Sequence, residues 1–305
     1  AHIDDFFRSR VVSCQRVTPD VYELKVYCPQ ASRQFFPGQI YRIQNYESFA
    51  QVSNDTLLHM EAIPVIGISR PEEPHLLSFL IKESGVSSQL VGQFKKGDKL
   101  SLMGPSGAKM SLPHDGVFII AGGEMARMQI LSVGYELKSR GVSLVFFSLT
   151  DSQLCDLEIA QLCDQVIRVA GSRGLELALQ DWGKADNRKV TQLHLFAEVD
   201  EVKKIQAARS QGRLQRYQST QFTAAVFGPM QCMLKGVCAQ CLQWQIDPQT
   251  GKRTKAVYAC SWQNQPLEII DLENINERLK QNSCQETLSK IWLSHVLDSN
   301  KSVIC

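Results

Sequence analysis

No apolar run in this sequence approaches the roughly 20 residues that a membrane-spanning helix needs, and no charged-then-apolar leader opens it. Charge of one sign is missing too: 33 Lys and Arg stand against 31 Asp and Glu, a formal net charge of +2. So even a balance gives no basic face for nucleic acid and no attraction to an anionic membrane. There is no internal repeat, no low-complexity linker, no G-x-S-x-G elbow and no P-loop. The six histidines (His2, His59, His75, His114, His194, His295) show no H-x3-H pairing, so surface or internally bonded positions are expected for them. Cysteine falls well short of the density of a small disulfide scaffold, at ten in 305 residues. Without a leader, a reducing cytoplasm is the expected setting, where clustered cysteines serve metal or redox chemistry more often than disulfides. The first residue is Ala1 rather than Met, which suggests a piece of a longer polypeptide.

At 305 residues the chain is long enough for about two domains. Residues 1–112 read as all-β. VYELKVYC (Val21–Cys28) alternates apolar and polar positions, and FFPGQIYRIQNY carries a Pro-Gly turn into a second alternating run. HLLSFLIKE (His75–Glu83) and DKLSLMG (Asp98–Gly104) follow, and short strands at this spacing predict a sandwich or barrel. The pattern changes after Pro113. VFIIA (Val117–Ala121) is continuously apolar; two glycines and an amphipathic helix through ARMQILSVGYELKSRG come next. VSLVFFSL (Val142–Leu149), a helical stretch to Cys163 and QVIRVA complete an alternation that predicts, over 113–228, a parallel sheet covered on both faces. Lys184–Gln221 is polar and shows no clear period, whereas FTAAVFG (Phe222–Gly228) reads as a last buried strand. Residues 229–265 form a cysteine-rich loop, and in the tail, 266–305, DLENINERLKQNSCQETLSKIWLSHVL reads as one or two helices.

The loop holds the densest chemistry. Cys232, Cys238, Cys241 and Cys260 are spaced C-x5-C-x2-C-x18-C, three on one short stretch and the fourth beyond a turn-rich IDPQTGKRTK segment. Four thiolates suit tetrahedral zinc or a 2Fe-2S cluster. A structural zinc site usually offers two C-x2-C knuckles, and the first pair here is spread too far. Three ligands on a compact loop and a distant fourth are the plant-type ferredoxin arrangement, with one extra residue in the first gap. The 2Fe-2S cluster is therefore the favoured reading, with zinc and unliganded thiols as alternatives. Cys14, Cys28, Cys155, Cys163, Cys284 and Cys305 are expected to be idle thiols or small buried hydrophobes.

A β-barrel, a parallel α/β domain and a terminal four-cysteine loop, in that order, resemble the ferredoxin–NADP reductase superfamily. The resemblance covers about residues 8–265. It is carried by FFPGQIYRIQNY, AIPVIGI, FLIKESGVSSQL, FKKGDKLSLMGPSG, IIAGG with its helix, and the cysteine loop. The nearest branch is that of the electron-transfer subunit of dihydroorotate dehydrogenase and the small subunit of NADH-dependent ferredoxin–NADP oxidoreductase. GPMQCMLKGVCAQC…DPQTGK…YACSWQNQ is also similar to the reductase-like module of glutamate-synthase-type flavoprotein oxidoreductases.

The resemblance implies that the barrel binds FAD through an R-x-x-[ST] strand and a glycine-and-hydroxyl turn. The strand corresponds to Pro64, Val65 and Ile66, but Ala62 stands where Arg is expected and Ile66 where Ser or Thr is expected. The turn corresponds to Gly85, Val86, Ser87 and Ser88, whose N–H groups and hydroxyls can cradle phosphate. For NAD(P)H the resemblance implies a glycine turn at a helix N-terminus. Gly122 and Gly123 match it, Glu124 puts a carboxylate where phosphates would approach, and Arg127 lies within reach to neutralise it. QAARS, around Ile205–Ser210, departs from the family's adenine-end segment. The implied activity is an electron-transfer flavoprotein module passing electrons between NAD(P)H, FAD and a 2Fe-2S cluster held by Cys232, Cys238, Cys241 and Cys260. Its partner would be an oxidoreductase subunit or fused domain of the glutamate-synthase or dihydroorotate-dehydrogenase kind, and no side chain would serve as general acid or base. The alternative is a degenerate scaffold with a four-cysteine zinc or cluster site and neither flavin nor nucleotide, which Ala62, Ile66 and Glu124 favour.

Overall fold

The computed structural model describes residues 9–53, 55–169, 174–226 and 239–299, with backbone alone at 281–286 and 298–299. The chain divides into two compact units, one of residues 1–106, 228–241 and 277–305 and the other of 107–227 and 242–276.

The first unit is built on β1 (Ser9–Thr18), β2 (Val21–Tyr27), β3 (Ile40–Asn45), β6 (Ile63–Ile66), β7 (Leu76–Lys82) and β8 (Lys99–Ser106), in the order β6-β3-β8-β1-β2-β7. A small ladder of β4 (Val52–Ser53) and β5 (Thr56–Leu57) stands beside it. Two reciprocal hydrogen bonds between Ile68 and Ser78 join the β6 end to β7, so the antiparallel sheet closes into a barrel. Of the two architectures the alternation allowed, closure selects the barrel, which removes open edges. Leu24 and Val26 of β2, Tyr41 and Ile43 of β3, and Leu77, Phe79 and Ile81 of β7 fill its interior. Pro64, which has no N–H to give a ladder, sits on β6, the end strand of the hydrogen-bonded order. A short helix, α1 (Pro29–Gln34), follows β2, and α2 (Val86–Leu90) follows β7.

In the second unit β9 (Val117–Gly122), β10 (Ser143–Ser148), β11 (Gln165–Arg168), β12 (Val190–Phe196) and β13 (Gln221–Ala224) are parallel, in the order β11-β10-β9-β12-β13. Helices α3 (Glu124–Ser139), α4 (Asp156–Leu162), α5 (Gly174–Ala185) and α6 (Val199–Ser210) connect them. β9 is buried at every position, as its unbroken apolar run requires of a central strand. The hairpin of β14 (Leu242–Ile246) and β15 (Arg253–Tyr258) follows, then β16 (Gln265–Pro266), which pairs antiparallel with β13. Lys184–Gln221, without period in the sequence, holds β12 and α6. The tail is one helix, α7 (Leu272–Ser299). Leu293 and Val296 of α7 enter the barrel's core, and the Ser53 hydroxyl donates to the Val296 carbonyl at 3.1 Å. Among the described residues no helix is long and apolar enough to cross a membrane.

Candidate functional site

The parallel sheet reverses its winding at β9: β10 and β11 lie on one side, β12 and β13 on the other. In sheets of this kind ligands enter the crevice beyond the carboxyl ends of the strands at that switch point. Gly122 ends β9 there, level with Phe196 at the end of β12. A Cβ on Gly122 would lie 1.9 Å from the Phe196 carbonyl oxygen, so the close approach of two backbones requires glycine. Gly123 differs. Its φ is −89°, outside the left-handed region, and a Cβ there would meet nothing within 4 Å. Neither φ nor crowding inside the protein calls for glycine at this position, which leaves bare backbone facing open space at the N-terminus of a 16-residue helix. The first-turn N–H groups of such a helix lack intrahelical partners, and its dipole favours an anion.

Glu124 is the first residue of α3 and is half-buried. Arg127 does not neutralise it. The Arg127 side chain is wholly buried and turned the other way: Nη1 donates to the Leu154 carbonyl and pairs with Asp156 at the start of α4. Its guanidinium lies 5.5 Å from the centre of the Phe146 ring. Helix geometry permits residues i and i+3 to meet, but a buried cation needs a close counter-ion, and Asp156 supplies one. Arg168, at the end of β11, also reaches Asp156, at 3.6 Å.

In the barrel unit the two flavin-type segments are tied together. The Ser87 hydroxyl accepts a hydrogen bond from the Glu61 N–H at 3.0 Å, fixing the α2 turn to the approach of β6. Ser88 is buried, and its hydroxyl accepts from the N–H groups of Ser84 and Gly85, both at 2.9 Å, while donating to the Gly85 carbonyl. The Ser88 hydroxyl is thus engaged by the chain, whereas the Ser87 hydroxyl only accepts from Glu61, so the turn of Gly85, Val86, Ser87 and Ser88 can present the Ser87 O–H and backbone N–H to an anion. Val65 points into the core, Ile66 is buried outside the core cluster, and Pro64 is half-buried. The sequence reading overlooked Arg42. On β3 it is the Cα partner of Pro64, and Nη2 donates to Gln44 Oε1 at 2.6 Å. A cation therefore stands beside the strand whose own expected arginine is Ala62. Its signal was the alternating run YRIQN, in which Arg42 and Gln44 share a face.

Of the four loop cysteines, Cys232 and Cys238 lie outside the described residues. Cys241 and Cys260 are buried and unbridged. Cys241 directly precedes β14 and Cys260 lies two residues after β15, strands whose ends, Leu242 and Tyr258, are register partners. Among the described residues no group of three or more metal-ligating side chains comes together. Cys14, Cys28 and Cys163 fit the idle-thiol reading, since burial pushes them up to about 11, 12 and 12 and keeps them protonated.

No family model matches the chain. It is 26% identical over 287 residues to an uncharacterized protein of Rickettsia prowazekii, covering 94% of this chain and 34% of that one. It is 28% identical over 165 residues to the electron transfer subunit of dihydroorotate dehydrogenase B (NAD(+)) from Desulforamulus reducens, covering 53% of this chain and 60% of that subunit. The chain thus spans about a third and three fifths of the length of these curated relatives. Among solved structures, the NADH-dependent reduced ferredoxin–NADP oxidoreductase superimposes with a TM-score of 0.71 at 18% identity, covering 92% of this chain and 96% of that one. The fold is ferredoxin–NADP reductase-like, and the dihydroorotate dehydrogenase subunit is a homologue. Full-length CYP116B46 from Tepidiphilus thermophilus shares that reductase-like fold over 32% of its chain, with a TM-score of 0.53 at 15% identity.

Proposed function

We propose that the chain is an electron-transfer flavoprotein module that moves electrons between NAD(P)H, FAD and a 2Fe-2S cluster, to or from a partner oxidoreductase subunit or fused domain. The observation that supports it most is Gly123, a glycine at a helix N-terminus beside which a Cβ would meet only open space, set where a dinucleotide phosphate would touch the backbone. When bound, flavin supplies the conversion between two-electron hydride and single-electron chemistry, and an iron–sulfur cluster supplies one-electron storage.

The residues of the glycine turn and of the barrel suit the nucleotide and the flavin. The open backbone at Gly123 and the positive end of the α3 dipole suit a pyrophosphate, with Gly122 holding the β9 and β12 ends close enough to form the crevice floor. In the barrel, the N–H groups at Val86, Ser87 and Ser88 together with Arg42 provide donors for the FAD phosphates, Gly85 shapes the turn, and Pro64, Val65 and Ile66 provide an apolar strand for the ring. Because Ala62 and Ile66 withhold a cation and a hydroxyl, the barrel relies on Arg42 for charge. Cys232, Cys238, Cys241 and Cys260 supply the thiolates. No side chain is assigned to proton transfer. The homologous electron transfer subunit supports a dihydroorotate-dehydrogenase-like partner; a glutamate-synthase-like partner and a cytoplasmic setting belong to the same proposal.

The test is to mix the chain anaerobically with NADH or NADPH and offer first a soluble one-electron dye, then an oxidoreductase partner. A module reduces the dye and turns over no metabolite until the partner is present. Metabolite turnover by the chain alone, or failure to reduce the dye in the presence of FAD, refutes the proposal.

A further inference from the structure

The hairpin of β14 and β15 carries Lys252, Arg253 and Lys255 within four residues, against one carboxylate, Asp247. The whole chain, by contrast, sets 33 Lys and Arg against 31 Asp and Glu. Asp247 is occupied by its own turn, accepting from the N–H groups of Gln249 and Thr250 at 2.7 and 3.3 Å. Residues 252–256 are all exposed, and among the described residues β15 pairs with β14 alone.

Two of these cations are held in place. Arg253 pairs with Asp271 at 2.8 Å, and its guanidinium lies 5.7 Å from the centre of the Trp244 ring. The Lys255 ammonium lies 5.3 Å from the centre of the Trp262 ring. Lys252 makes no ion pair among the described residues. A cation over an aromatic face keeps its charge, while its long side chain gives up freedom before any partner arrives. Half-buried Trp beside exposed Arg is also the composition that recognition surfaces favour. A single lysine would guard an exposed edge against aggregation. Three cations, two of them seated on rings, go beyond that need.

We infer that this hairpin is a docking surface for the acidic face of a partner protein. Charge complementarity sets the class of occupant: carboxylates on the partner meet Lys252 and Lys255 directly and share Arg253 with Asp271. Opposite charge also steers the encounter toward this arm of the molecule. Cys241 directly precedes β14 and Cys260 lies two residues beyond β15, so an acidic partner seated here stands beside two of the four thiols. That the partner exchanges electrons there rests on the function proposed above.

A short glutamate peptide is the probe, with a Gly-Ser peptide of the same length as its uncharged counterpart. Backbone amide resonances of residues 252–256 are followed in 1H–15N spectra of the full chain. The expected result is a saturable shift by the glutamate peptide, none by the uncharged one, and weaker binding as salt rises. Lys252→Glu with Lys255→Glu, both exposed, should weaken binding about tenfold, because surface attractions are lost and repulsions replace them. Lys95→Glu with Lys96→Glu, an exposed pair in the barrel unit with the same change in net charge, should bind like the parent. Phosphatidylserine vesicles should not displace the peptide. No saturable shift, equal shifts by the two peptides, equal weakening in the two double variants, or displacement by the vesicles in favour of a lipid surface overturns the proposal. Binding is read without electron flow. A chain that reduces no dye therefore fails the electron-transfer reading alone, and one that binds no glutamate peptide fails this inference alone.

Discussion

His194 is completely buried in β12, bonded through Nδ1 to the Thr223 hydroxyl and without a partner at Nε2. Burial disfavours its charged form and pulls its pKa from 6.5 down to about 3. The unfolded chain takes up this proton near pH 6.5, but the folded chain resists it until about pH 3. Between those values the unfolded state binds more protons, so stability falls as pH falls, by about 1.4 kcal/mol per pH unit at most. Above pH 6.5 the histidine contributes no slope. Urea unfolding at pH 7 and pH 5 measures this: His194→Asn should show a clearly shallower loss than the parent, and equal losses would clear His194 of the effect. The two glycines separate structure from binding at the same scale. Gly122→Ala drives a methyl into the Phe196 carbonyl and should destabilise by on the order of 3 kcal/mol or more. Gly123→Ala meets open space and should leave thermal stability within about 0.5 kcal/mol, while NAD(P)H binding weakens. A Gly123→Ala variant that binds nucleotide like the parent would mean that no phosphate reaches that backbone.

Among the elements, β12 was the least legible and α7 the most open in its role. β12 reads VTQLHLF, and its buried Gln192 and His194 break the apolar run that made β9 and β10 plain in the sequence. Hydrophobic pattern cannot announce a strand whose buried positions are polar and depend on tertiary partners. The barrel strands were legible because one face is core and the other is not. That the barrel closes through Ile68 and Ser78 was not, since a single bridge leaves no period. In the site, the Gly-Gly turn could be read from sequence, whereas the destination of Arg127 depended on Asp156, 29 residues away. The tail's helical period was visible, but the surface it covers was not. Leu293 is 1% exposed within the barrel's core cluster, so Leu293→Ala should cost 2–5 kcal/mol of barrel stability. Denaturant unfolding monitored on the full chain checks it; a loss below about 0.5 kcal/mol, the range of ordinary surface changes, would mean that α7 rests on the barrel without supporting it.

For the whole molecule, a reductase-like fold alone does not establish chemistry, because function resides in sites carried by folds. Under the proposed reading the Gly-Gly turn, the tethered barrel segments and the four-cysteine spacing serve one electron-transfer chemistry, with Ala62, Ile66 and Glu124 as its departures from the reductase pattern. Cys238→Ser tests the loop: it should remove most iron and sulfide while both units stay folded, because each has its own core. Full iron retention would remove Cys238 from the ligand set. The visible absorption spectrum of the chain purified without air bears most directly on the electron-transfer reading. The expected result is flavin bands together with broad sulfur-to-iron absorption, both bleached by NAD(P)H. A colourless protein that contains zinc and does not respond to NAD(P)H or added FAD would contradict it.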